Sequence, residues 1–238
     1  MSVFDYIGPI MVGPSSSHTA GALRLARVAM ELLGNIPERA EIYFPRNGSF
    51  ATSYSGHGSD KAIIAGLAGL YSDDPKIRDA YTFKDQLNMQ VDFFIKDMSK
   101  NLHPNTILFH LFWKDKEVEL LGISVGGGNI RVTEILGFPI NYDGSRDVIT
   151  VFADDYPGMF VNVLQILTKN DLNIYRAEVS HIERENYFAD DLNRAYLNIQ
   201  LTDLCSPTQL VLEELKNVKG VIGVRFIPKL RFGEDIAL

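Results

Sequence analysis

The chain has 238 residues, 46% hydrophobic and 22% charged, an ordinary globular mixture with room for one large domain or two modest ones. A formal net charge of -7 and the lack of any basic tract argue against a nucleic-acid partner and leave small solutes or other proteins. One cysteine, Cys205, permits no internal disulfide and supplies at most one thiolate to a metal cluster.

The N-terminal "MSVFDYIGPIMVG" lacks the basic start and long apolar core of a secretory signal. No stretch approaches the roughly 20 apolar residues that span a bilayer, so a cytoplasmic protein with no membrane partner is expected. "GPSSSHTAGA", residues 13–22, reads as a polar loop ahead of a helix, "TAGALRLARVAMELLG", in which Arg24, Arg27 and Glu31 share one narrow stripe and the rest is apolar. That helix should be largely buried. "RAEIYFP", 39–45, predicts a strand, and "NGSFATSYSGHGSD", 47–60, a second unusual loop with His57 between Gly56 and Gly58 and with Ser59 and Asp60 as N-caps. "DKAIIAGLAGL", 60–70, is a second buried helix. "QVDFFIKD", "TILFHLFW" and "EVELLGISVGGGNIRVTEI" predict strands joined by turns, in a mixed or antiparallel sheet. "GGGN", 126–129, has neither a P-loop ending nor a dinucleotide fingerprint and reads as a turn, with a role beside the serine loops open to it. His110 is expected as a satisfied sheet residue and His103 as loop. No pair of histidines has metal-ligand spacing with a nearby carboxylate, so no metal ligand is assigned.

"PINYDGSRD", 139–147, is a Pro, Gly and polar-rich interruption and the expected linker. Beyond it, "VITVFA" predicts a strand ending at a turn through Pro157 and Gly158. Phe160, Val163, Leu164 and Leu167 recur at helical spacing. "LNIYRAEVSHI", 172–182, and "YLNIQL", 196–201, read as strands, the second with one buried and one polar face. The loop "ERENYFADDLN", 183–193, is long, acidic and aromatic. Pro207 stands in a helix-opening position before "TQLVLEELKNV", and "GVIGVRFI" closes with a strand. The resulting order is β-α-β-β-α-β, a split βαβ or ferredoxin-like unit. With its Asp-x-Pro-Gly turn before the first helix, it resembles the ACT domain, a ligand-sensing and dimerising module. Pairing its edge strands with a second copy would hide an exposed sheet edge, which predicts a homodimer.

The first backbone N–H groups of a helix lack internal partners and carry the positive end of its dipole, which favours a carboxylate or phosphate. Ser15, Ser16, Ser17 and Thr19 add hydroxyls at one such start, and Ser55, His57 and Ser59 repeat the device at the other. Two loops with one histidine each could converge on one anionic, hydroxyl-bearing ligand. The plainer alternative is that the serines cap helices and the glycines serve a turn.

"FDYIGPIMVGPSSSHTAGALRLARVA" together with "GSFATSYSGHGSDKAIIAGL" and the C-terminal unit resembles the β subunit of the bacterial iron-sulfur-dependent L-serine dehydratases, over essentially the whole chain. Ser59 departs from the threonine expected there and keeps the hydroxyl. The resemblance implies an α/β chain with a mixed α/β, serine-binding-type domain over 1–140 and an ACT domain over 148–238. It implies conversion of L-serine to pyruvate and ammonia through a [4Fe-4S] cluster without pyridoxal phosphate. It also implies that the cluster sits on a separate, cysteine-containing α subunit. On that reading His57 and His18 are the catalytic candidates, and Ser15, Ser16, Ser17, Thr19, Gly56, Gly58 and Ser59 bind substrate. The same residues could instead bind serine as an effector in a non-catalytic sensing and assembly module.

Overall fold

A computed structural model describes residues 11–98, 101–181, 193–203 and 206–230. Cys205 and most of the acidic segment 183–193 lie outside them. The chain divides into two compact units, one built from the residues up to Leu136 with Asn141–Asp143, the other from Gly137–Ile140 and Gly144–Lys229. The protein is therefore mixed α/β with two sheets.

The first unit starts with a helix that opens as a π-helical turn, Ser16–Ala20, and continues without a break into α1, Gly21–Leu33. Strand β1, Arg39–Pro45, follows, then the short α2, Ser49–Ser53, and α3, Ser59–Leu67. A 3-10 turn, Pro75–Asp79, leads into α4, Ala80–Gln86. The remaining strands of its sheet are β2, Gln90–Lys96, β3, Thr106–Trp113, β4, Lys116–Gly126, β5, Asn129–Ile135, and β6, Phe138–Tyr142, of which Phe138–Ile140 group with the second unit.

These six strands form one sheet in the order β2-β1-β3-β4-β5-β6. β1 and β2 are parallel, and the segment between them holds α2, α3 and α4, as a parallel pair requires a crossover. β3 pairs antiparallel with both β1 and β4, and β4 with β5. Helix α1 packs on β3, β4, β5 and α3. Its small Ala22, Ala26 and Ala29 with Leu25 are fully buried, as are Ile42 and Phe44 of β1, Phe109 and Leu111 of β3 and Ile63 and Ile64 of α3. Arg24 and Arg27 are buried too, so even the polar stripe of α1 is inside. Arg27 stacks on Tyr71, bonds Gly69 O and pairs with Glu31, which accounts for its depth.

The second unit runs β7, Val148–Asp154, α5, Met159–Lys169, β8, Ile174–His181, β9, Arg194–Leu201, α6, Gln209–Lys216, and β10, Val221–Ile227. Its four strands lie in the order β10-β7-β9-β8, every neighbouring pair antiparallel. Met159, Val163 and Leu167 of α5 and Val211 and Leu215 of α6 pack on Val151, Leu197 and Ile199 in one core.

Four expectations change. The interruption at 139–147 is part strand, because residues to Tyr142 belong to β6, and Pro139 is tolerated at the sheet's edge, where no ladder donor is needed. The polar face of β9 is not exposed: Tyr196, Asn198 and Gln200 are buried with their neighbours, and Phe138 packs on Tyr196. The polar stretch 47–60 is half helix, since α2 occupies Ser49–Ser53. Pro207 precedes rather than opens α6, whose N-cap is Thr208, its side chain accepting from Val211 N at 3.4 Å.

Candidate functional site

The serine motif is not a loop feeding a helix. Ser15 is the N-cap, extended at φ -137°, and Ser16, Ser17, His18 and Thr19 are the first turn itself. Ser15 Oγ accepts from His18 N at 3.1 Å, satisfying one of the orphan donors of the helix start, and its carbonyl accepts the first backbone bond of the turn from Thr19 N at 2.9 Å. The N–H groups of Ser16 and Ser17 precede any acceptor in the helix. Ser15 Oγ also lies 3.4 Å from His18 Nδ1.

The glycine–histidine–glycine motif forms the turn between α2 and α3. His57 N donates to Ser53 O at 2.9 Å, and Gly58, at φ +70°, is the N-cap of α3 in the left-handed conformation that suits glycine. Ser59 and Asp60 are therefore not caps. Both lie inside the helix, Ser59 with its Oγ buried and without a partner among the described residues. Asp60 spends its carboxylate on Tyr81 Oη and Lys61 N, at 2.7 and 2.8 Å. Burial, and then that bond to Asp60, push the Tyr81 hydroxyl well above its ordinary pKa.

The two motifs meet. Thr19 Oγ1 donates to His57 O at 3.2 Å, and the His18 and His57 rings stand edge to face with centroids 5.1 Å apart. His18 also packs on the buried Phe50 of α2 at 4.7 Å. His57 is exposed; His18 is half-buried, with Nε2 covered and unpartnered among the described residues. Gly56 is exposed in the turn and meets no side chain.

Three residues that sequence reasoning did not single out tie this site together. Ser124 Oγ, on β4, donates to Ser17 O at 2.8 Å. It can do so because residue 21 is glycine; a Cβ there would sit 2.0 Å from Ser124 Oγ. Asn105 donates through Nδ2 to Ser124 O at 3.2 Å and accepts from Ser49 Oγ at the start of α2. Phe50 is the apolar floor under His18. Small residues at 21 and 124 hint at close packing, but no local pattern marks Asn105. Of the other histidines, His110 lies in β3 between Glu41 and Glu117 and His103 in a loop, as expected, and His181 ends β8, paired with Asp155.

Burial, and secondarily the nearby His57, lower the His18 pKa below its ordinary 6.5. The unfolded chain then binds a proton near pH 6.5 that the folded chain refuses. This part of the stability is present above pH 6.5 and is lost as pH falls below that value toward the folded pKa. The melting temperature of the chain relative to that of His18→Asn should therefore fall between pH 7.5 and 5.5; a constant difference across that range would contradict the burial of His18.

The family model described as serine dehydratase beta chain matches residues 2–134, the segment that carries both motifs. The chain belongs to the serine dehydratase beta chain family. It is 42% identical over 179 residues to the probable L-serine dehydratase, beta chain, of Bacillus subtilis strain 168, covering 75% of this chain and 80% of that one. It is 35% identical over 174 residues to the L-serine dehydratase, beta chain, of Peptoniphilus asaccharolyticus, covering 73% and 78%. An L-serine dehydratase of Escherichia coli K12 matches at 33% identity over 178 residues, but these span only 37% of that protein. A [4Fe-4S] cluster takes three or four thiolates, and this serine dehydratase beta chain has one cysteine. Its described residues contain no group of three or more His, Cys, Asp or Glu placed to hold a metal ion, so its own donors do not fit such a cluster. No helix among the described residues is long and apolar enough to cross a membrane.

Proposed function

We infer that this chain is the beta subunit of an L-serine dehydratase and that the paired motifs form its serine site. The observation that carries the reading is the meeting of His18 and Thr19 with His57 across the two motifs. The reaction removes the α-proton and the β-hydroxyl of L-serine as water. The resulting 2-aminoacrylate takes up water and gives pyruvate and ammonia.

The uncapped amides of Ser16 and Ser17, with the Ser17 hydroxyl, suit the substrate carboxylate at the positive end of a helix that runs unbroken to Leu33, while the Ser15 hydroxyl is engaged with His18. His18 is neutral at pH 7, its pKa being depressed. When the Ser15 hydroxyl donates to Nδ1, Nε2 carries the hydrogen, as a covered donor between the Phe50 and His57 rings. His57, exposed yet held at both its N–H and its carbonyl, is placed to move a proton. Thr19 holds the two motifs in register, and Ser59 offers a buried hydroxyl beneath the turn. A [4Fe-4S] cluster, if it serves this reaction, belongs to a cysteine-containing α subunit that docks against the site.

The domain reading is an N-terminal serine-binding domain over 1–140 and an ACT domain over 148–238. What supports the latter is the β-α-β-β-α-β order with strands arranged β10-β7-β9-β8, the split βαβ arrangement, whose edges β8 and β10 would pair with a second copy.

The test is anaerobic purification of the tagged chain from its native cells, with identification of co-purifying chains and assay of pyruvate from L-serine. A cysteine-rich partner with oxygen-sensitive serine deamination is expected. An isolated chain that yields no pyruvate would sink the assignment.

A further inference from the structure

We propose that the β4–β5 hairpin at Gly126–Asn129 is a third wall of the serine site, and that Arg24 is the positioning residue that holds it there. The proposal rests on the paired motifs being that serine site.

Gly126 pairs with Asn129, so Gly127 and Gly128 are the two central residues of a tight hairpin turn. Their φ values, +60° and +78°, are those of a two-residue type I′ turn, which explains both glycines. Gly126 is different. It lies outside the turn, yet its φ is +103°, and the ladder slips register between Ser124 and Gly126. A bulge of this kind bends the strand and re-aims the residues beyond it. Here the bend brings the hairpin to the serine motif: a Cβ at 126 would stand 3.9 Å from Ser17 Oγ. On the other side of the bulge, Ser124 bonds Ser17 O. The strand thus grips residue 17 at its carbonyl and faces it again at its hydroxyl.

Arg24 fixes the tip from inside. It is 3% exposed, and its Nη1 donates to Gly128 O at 2.6 Å. Burial lowers its pKa to about 10, which leaves it charged at neutral pH and makes the bond charge-assisted. The same continuous helix carries Ser17 and His18 at its start and Arg24 six residues after His18. One rigid element therefore sets both the serine motif and the distance of the hairpin from it.

The experiment measures initial rates against L-serine concentration for the assembled enzyme carrying Arg24→Lys, Arg24→Met or Gly126→Ala, with thermal melting of each variant and His57→Ala in parallel. Lysine keeps the charge but loses the guanidinium fork that reaches Gly128 O. The expected result for all three is a KM raised about tenfold, with kcat changed by less than about twofold, as loss of uniform substrate binding gives. If the Arg24 variants do not fold, Gly126→Ala decides alone. A folded Gly126→Ala enzyme with unchanged KM overturns the proposal while leaving the site intact. Lowered melting temperatures with KM unchanged would make Arg24 purely structural and overturn it equally. If His57→Ala also leaves kcat and KM untouched, the site reading itself fails and the third wall falls with it.

Discussion

His57→Ala in the assembled dehydratase should lower kcat by about a hundred- to ten-thousand-fold, the range that a positioned proton-transfer group contributes, with little change in melting temperature. The dissociation of the two readouts comes from the geometry. The backbone of His57 is held by Ser53 O on one side and by the Thr19 hydroxyl on the other, and neither bond involves the ring. The ring itself is exposed and touches His18 only edge to face. Alanine therefore removes the imidazole and leaves the turn in place, so stability should stay within about 0.5 kcal/mol, as for surface substitutions generally. His18→Ala is a harsher change, because it also strips the cover from Phe50 and the Nδ1 partner from Ser15. If His57→Ala keeps the maximal rate within a few-fold and alters only the response to serine concentration, the motifs bind serine as an effector.

Much of this architecture was legible because it is set by periodicity. An apolar stretch such as "ALRLARVAMELL" must be buried on nearly all sides, and α1 is. β1 begins and ends at Arg39 and Pro45, the residues the alternation predicts. The two motifs, each with one histidine among small polar residues, stood out in the sequence, and the fold brings them together through the Thr19–His57 bond and the His18–His57 ring contact. What the sequence hid was the local conformation at those motifs. Three serines before an apolar run suggest a loop, but Ser15 alone caps the helix and the next residues form a widened π turn. Such turns have no compositional signature and recur at functional sites. Ser59 and Asp60 look like caps because of their residue types, yet glycine takes that position since the chain must turn through a positive φ at Gly58. Asn105 and Ser124 were invisible for a different reason. Their role comes from the sheet's pairing, which brings β4 under a helix start more than a hundred residues earlier in the chain. No local window contains that information.

The largest effect on stability is expected at a residue without chemistry. Gly66 lies near the end of α3 where that helix crosses α1. A Cβ there would stand 2.3 Å from Leu23 O and 2.8 Å from Ala26 Cβ. In an isolated helix, exchanging glycine for alanine is favourable by about 1 kcal/mol, through the entropy glycine loses on folding. Here the opposing contact is a backbone carbonyl, which cannot rotate aside, so α3 must move away from α1. Overpacking of a close-fitted core costs about 1–3 kcal/mol, occasionally more, and a clash against backbone belongs at the upper end, leaving Gly66→Ala destabilised by about 2 kcal/mol net. For a chain of this size that is a fall in melting temperature of about 4–8 °C. Displacement also reaches the site, since α3 begins directly after the His57 turn and α1 continues the turn that holds His18. Gly66→Ala should therefore raise KM for L-serine as well as lower the melting temperature, although residue 66 touches neither motif. A variant as stable as the parent would mean that the two helices cross less closely than these distances require. A destabilised variant with unchanged KM would mean that the motifs are held by Thr19, Ser124 and Asn105 independently of the helix crossing.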